Sequence, residues 1–179
     1  MSPLRWAFSI LGYPLGSLAA VQVASTTDGP LLAALAGLIA GAVLGTAQWL
    51  ALRPAVGWQW ILATATGLSV GAGAGAAITL GSDDLGALVI YGAIAGVFVG
   101  SAQGLVLGAS RVLAWSATVA GSWAVAWMIT QAVIVDEQKG FVTFGLSGAA
   151  IATIATGIVL RGFLGARAAR TTSAQVVTA

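Results

Sequence analysis

The sequence predicts an all-α membrane protein of six transmembrane helices, built as three tandem two-helix hairpins around a pseudo-threefold axis, with both termini in the cytoplasm. Three observations predict it: an apolar composition, six evenly spaced apolar runs, and small and polar residues that recur at a nearly constant interval.

Of 179 residues, 59% are hydrophobic and 7% charged, and the mean hydropathy is +0.99. Soluble domains carry about a quarter charged residues, and a domain of this length buries too small a share of its surface to hide so much apolar area from water. Cysteine and histidine are both absent. That removes disulfides, thiolate ligands, the commonest metal ligand and the commonest general base, so no cofactor or metal is expected. Seven basic residues spread along apolar runs make no patch for a phosphate backbone, and nucleic acid is not an expected partner.

A helix needs about 20 residues to cross about 30 Å of hydrocarbon. Six runs have that length, at about residues 5–25, 30–52, 58–80, 85–108, 112–134 and 141–162. Asp28-Gly29-Pro30 reads as a turn that places proline at the first helical position, Arg53-Pro54 ends the second span, and Ser82-Asp83-Asp84 caps the fourth. A run beginning at Arg5 and ending near Val23-Ala24-Ser25 also has the look of a signal sequence, but its likeness to later spans predicts a retained helix. Pro14 predicts a bend in that helix.

Arg5, Arg53, Arg111, Arg161, Arg167 and Arg170 all fall on the side holding the N-terminus, which makes that side cytoplasmic. Asp28, Asp83, Asp84, Asp136 and Glu137 fall on the other side, with Lys139 the basic exception. Residues 1–165 therefore form one transmembrane domain of hairpins at about 1–54, 55–109 and 110–165, and residues 166–179 a flexible cytoplasmic tail. The expected location is a bacterial inner membrane.

The second, fourth and sixth spans align without gaps at offsets of 55 and then 53 residues, matching Gly37, Gly92 and Gly145, then Gly41, Gly96 and Ala149, then Gly45, Gly100 and Thr153. Gln48, Gln103 and Thr156 follow in the same register. The first, third and fifth spans align through Gly12, Gly67 and Gly121, with Gly16 repeated at Gly71 and Gln22 meeting Gln131. Glycine at i, i+4 and i+8 gives a flat helix face along which two backbones approach closely, the logic of a glycine zipper. The second helix of each hairpin is expected to turn that face toward the axis. Gln48, Gln103 and Thr156 form one expected polar layer, near the cytoplasmic end, and Gln22 with Gln131 a second near the outer end. Trp6, Trp49, Trp58, Trp60 and Trp115 read as a belt of interfacial anchors. Trp123 and Trp127 lie within the fifth span and are the candidate ligand or partner face.

No ionisable residue lies deep in any span, which argues against proton coupling through an intramembrane carboxylate. Serines such as Ser9 and Ser101 have no base to activate them, so no catalytic residues are expected and the chain is not read as an enzyme.

The stretch from Gly45 to Arg53 (GTAQWLALR), followed by Trp58-Gln59-Trp60 and the Gly67 to Gly71 spacing, resembles the hairpin repeat of small bacterial six-helix membrane proteins, a group with no established activity. The resemblance covers most of residues 30–125. In span count the chain is also similar to the substrate-binding subunits of energy-coupling vitamin transporters, although its short outer loops leave little to form a lid. The leading expectation is an accessory or packing subunit, homo-oligomeric or bound to a membrane partner through glycine-rich faces. A small-solute transport or permeation component is the alternative, and a scaffold for a lipophilic ligand or pigment the third reading.

Overall fold

The computed structural model describes residues 2–23, 29–133 and 145–177, the last stretch as backbone alone from residue 166. The predicted Asp28, Asp136, Glu137 and Lys139 lie outside the described residues. Among the described residues there are seven α-helices: α1 (Pro3–Phe8), α2 (Gly12–Val23), α3 (Pro30–Leu52), α4 (Gln59–Thr79), α5 (Leu85–Leu107), α6 (Val112–Val133) and α7 (Leu146–Val177). With α1 and α2 read as one crossing, they give six segments of 20 to 24 residues that are long and apolar enough to span a membrane. The chain is a multi-pass membrane protein with no strand among its described residues.

Local chemistry sets the boundaries. Pro30 opens α3 at a position where a missing N–H costs nothing, and Gly29 before it sits at φ +92°, a conformation that favours glycine. α3 ends where Arg53 turns extended ahead of Pro54, because the proline ring disfavours helical geometry in its predecessor. Asp84 caps α5 by accepting from the Ala87 N–H at 2.9 Å, and its bond with the Ser82 hydroxyl, then that with Ala87, holds its carboxyl below the usual range. α5 closes on Gly108 at φ +120°.

Pro14 cannot donate to the carbonyl of Ile10, and the crossing departs from α geometry at that place, with Ser9–Leu11 wound as a 3-10 turn between α1 and α2. A 3-10 residue rises about 2.0 Å and an α residue about 1.5 Å. Three of the six steps from Trp6 to Gly12 are thus stretched, and the six cover about the height of seven α-helical steps.

Helices adjacent in sequence pack on one another, and α7 returns to pack on α1 and α2, closing a ring of six crossings. The inward side chains are Trp6, Tyr13, Leu44, Leu52, Trp60, Leu68, Val99, Leu107, Trp115 and Leu160, all buried. Leu4, Leu31, Leu62, Leu105, Leu113 and Ile158 stand exposed on the outside, an apolar surface that suits lipid. The backbone of α7 runs as helix from Leu146 to Val177, past residue 166 where the tail is expected to begin.

Candidate functional site

Buried polarity concentrates at the arginine end of the bundle. Gln48 on α3 and Gln103 on α5 are 6% and 2% exposed. Gln103 Nε2 donates to Gln48 Oε1 at 3.1 Å and to the Thr64 hydroxyl on α4 at 2.8 Å. Trp60 Nε1 donates to Gln48 Oε1 at 3.0 Å, and Trp115 Nε1 donates to Gln103 Oε1 at 3.0 Å. The Trp60 and Trp115 rings meet at 6.2 Å between centroids, and Phe163 of α7 tilts against Trp115 at the same distance. Four helices are thereby joined by one chain of amides and indoles. Interhelical hydrogen bonds in membranes contribute about 0.6 to 2 kcal/mol each, and in so apolar a core they fix register as well as affinity.

The expected layer of Gln48, Gln103 and Thr156 is thus two-thirds joined. Thr156 is buried, but its hydroxyl donates back to the Ala152 carbonyl at 2.6 Å within α7, outside the amide chain. In its place, Trp6 Nε1 on α1 donates to the Thr153 carbonyl of α7 at 2.8 Å. Trp6, Trp60 and Trp115 therefore each reach into the helix before them around the ring. They are 4%, 0% and 1% exposed, so they are core donors and not the lipid-facing anchors expected of them. A sequence signal exists for two of them: each glutamine stands 12 residues before the tryptophan that donates to it. Trp58 is exposed and Trp49 half-buried, and only these two fit a belt.

The outer polar layer is not formed. Gln22 and Gln131 are both exposed on the outward faces of α2 and α6, so neither meets the other inside the bundle. Trp123 and Trp127 do not face lipid either. They are 3% and 6% exposed, with Trp123 edge-on to Tyr13 at 6.1 Å and Trp127 edge-on to Tyr91 at 6.3 Å. The burial of the Trp127 ring follows from Gly92, whose missing side chain leaves room for it. They fill the interior and offer no free partner face.

The predicted packing glycines lie between neighbouring helices of this chain, not toward the axis. A Cβ on Gly37, Gly41 or Gly45 would fall 2.6 to 2.9 Å from atoms of α4, and one on Gly96 or Gly100 would fall 2.5 to 2.6 Å from the Cα of Ala120 or Ser116 on α6. Gly92 meets Trp123 and Trp127 on α6 in the same way. Gly12 and Gly16 meet α3, and Gly67 and Gly71 meet α5. Gly145 is half-buried just ahead of α7, where its carbonyl accepts from Ala149. Gly121 is the exception. It is exposed, a Cβ added to it would have nothing within 4 Å, and Ser122 is the buried neighbour. The alignment through Gly121 is one residue out: Gly12, Gly67 and Ser122, then Tyr13, Leu68 and Trp123, occupy buried positions at a constant interval of 55.

Four arginines mark the same end. Arg5 Nη2 donates to the Leu50 carbonyl at 2.6 Å, Arg53 lies over the Trp49 ring at 5.3 Å, and Arg111 lies over Phe163 at 5.3 Å. Arg161 is exposed on α7. The described carboxylates, Asp83 and Asp84, sit on the turn at the far ends of α4 and α5. Among the described residues no three acidic, histidine or cysteine side chains gather as a metal site. Comparison with family models, curated proteins and solved structures finds no match to this chain.

Proposed function

We propose that this protein is a non-catalytic accessory or packing subunit of a bacterial inner membrane, made of three tandem hairpins about a pseudo-threefold axis with both termini cytoplasmic. The observation that carries this reading is the filled interior at the arginine end. Trp60, Trp115, Gln48, Gln103 and Thr64 satisfy one another's polar groups there, leaving that region occupied by side chains that bond to the bundle itself. Solute passage would require breaking four hydrogen bonds and parting two indoles.

The recurrence at 55 residues supports the tandem origin, and the arginine end supports the orientation. The glycine faces are occupied within the chain, so a partner meets the apolar outer surface instead. The test is purification in a mild detergent with native mass spectrometry, followed by reconstitution into liposomes for flux of small solutes and ions. The expected result is a stoichiometric companion subunit or a defined homo-oligomer, and no flux above empty vesicles. Flux that is abolished by blocking the Trp60 and Trp115 region would replace this reading with a permeation path.

A further inference from the structure

Helix α7 is gripped unevenly along its length. Toward the arginine end Leu160 is fully buried, and Phe163 packs against the Trp115 ring at 6.2 Å and beneath the Arg111 guanidinium at 5.3 Å. The far half has no such grip: its buried residues are Gly148, Ala149, Ala152, Thr153, Thr156 and Gly157, none larger than threonine. The polar contacts differ in the same sense. Trp60 and Trp115 donate to side-chain amides that are themselves joined, so α3 to α6 share one chain of bonds. Trp6 donates instead to the Thr153 carbonyl, a backbone acceptor that the Thr156 hydroxyl also approaches at 3.3 Å. The hydroxyls of Thr130, on the α6 side of the seam, and Thr153, on α7, are buried without a hydrogen-bond partner. In lipid, helices are held by close packing and hydrogen bonds. Parting α3 from α4 or α5 from α6 breaks the amide–indole chain, whereas parting the far half of α7 frees two hydroxyls whose burial is costly.

We propose that α7 is a hinged arm. It pivots at Leu160 and Phe163, and its far half swings away from α6 and from the first crossing, opening the ring sideways while α3 to α6 stay joined. Trp6 is the latch: its indole N–H holds the Thr153 carbonyl when the ring is closed, and Gly157 leaves the room that lets the indole lie against α7. Local opening of this kind belongs to the elements with the weakest contacts, and it needs far less free energy than unfolding the whole bundle.

The chain has no cysteine, so a single introduced thiol reports on its own position. In the 53-residue register Leu107 of α5 matches Leu160, and Val99 adjoins the match to Thr153; all four are buried. The test follows reaction of each single-cysteine chain, reconstituted in lipid, with the membrane-permeant reagent N-ethylmaleimide. Thr153→Cys should react at least about tenfold faster than Val99→Cys, and Leu160→Cys within about twofold of Leu107→Cys. Adding Trp6→Phe, which removes the latching N–H, should speed Thr153→Cys further and leave Val99→Cys unchanged. Equal rates at Thr153→Cys and Val99→Cys overturn the opening. A Leu160→Cys rate well above that of Leu107→Cys means that α7 leaves as a whole and overturns the hinge, and a Trp6→Phe change that speeds Val99→Cys alike reports loosening of the entire bundle and overturns the latch. Hydrogen exchange of the parent chain keeps the test decisive if a variant fails to fold: the amides of residues 146–156 should exchange faster than those of residues 93–103, and equal exchange overturns the proposal.

Discussion

Gly96 and Gly121 show how differently one residue type acts at two places on this surface. A Cβ on Gly96 would sit 2.5 Å from the Ala120 Cα and 2.9 Å from the Val119 carbonyl oxygen, both backbone atoms that cannot turn aside. A Cβ on Gly121 would touch nothing within 4 Å. In lipid, where acyl chains are as apolar as leucine, helices are held by close contact and hydrogen bonds, so forcing α5 from α6 removes the interaction itself. Gly96→Leu is expected to cost at least about 1 to 3 kcal/mol, the usual range for overpacking. Gly41→Leu should behave alike, its Cβ lying 2.7 Å from the Thr64 carbonyl oxygen. Gly121→Leu should change stability by less than about 0.5 kcal/mol, as surface substitutions do. Thermal unfolding in one detergent compares the three, and a Gly96→Leu midpoint equal to that of Gly121→Leu would remove the packing role. Single residues are also where the sequence misleads: one face of a helix in a Gly/Ala-rich segment looks much like the next, and Gly121 aligns with Gly12 although Ser122 holds the buried place.

At the scale of the element, the six crossings and the ends marked by Pro30, Pro54 and Asp84 are legible because length, hydropathy and the signals of proline, glycine and aspartate act locally. What cannot be read is which side of a helix faces inward. When nearly every residue is apolar, hydrophobic periodicity fades, so Trp123 and Trp127 read as outward and Gln22 and Gln131 as inward, the reverse of the arrangement found. Helix α7 is the element least well fitted to its neighbours. Among the described residues, the two buried side-chain oxygens without a hydrogen-bond partner are those of Thr130 on α6 and Thr153 on α7. The first faces Gly148 of α7 across the α6–α7 seam, and the second belongs to the residue whose carbonyl accepts from Trp6 and closes the ring to α1. At the matching sites of α3 and α5, Gly45 and Gly100 let the next helix approach. Replacing an orphan hydroxyl by a methyl of the same shape removes a desolvation cost of about 1 to 3 kcal/mol. Thr153→Val and Thr130→Val are therefore expected to raise the unfolding midpoint, whereas Thr64→Val, which strips an acceptor from Gln103, should lower it. Differential scanning of the three variants decides, and a destabilised Thr153→Val would mean that its hydroxyl is hydrogen-bonded inside the folded bundle.

For the whole molecule, the ring of helices and the charge asymmetry belong together. The helices bury a core of indoles and small residues within one chain, so among the described residues the outward surface is left apolar around its middle and cationic at a single rim. Arg5, Arg53 and Arg111 are tied to that rim by a carbonyl or an aromatic ring, which keeps them at interface depth where translocation is disfavoured. An absence of native cysteine makes the resulting orientation directly measurable, because an introduced cysteine is the only thiol in the chain. Ser110→Cys lies at the arginine rim between α5 and α6, and Asp83→Cys on the turn between α4 and α5; both positions are exposed. In right-side-out spheroplasts an impermeant maleimide should label Asp83→Cys and leave Ser110→Cys unlabelled until the membrane is permeabilised. Labelling in the opposite order would invert the protein and place the arginine rim on the outer face. Labelling of both sites without permeabilisation would indicate two orientations in one membrane, which four arginines confined to one rim should prevent.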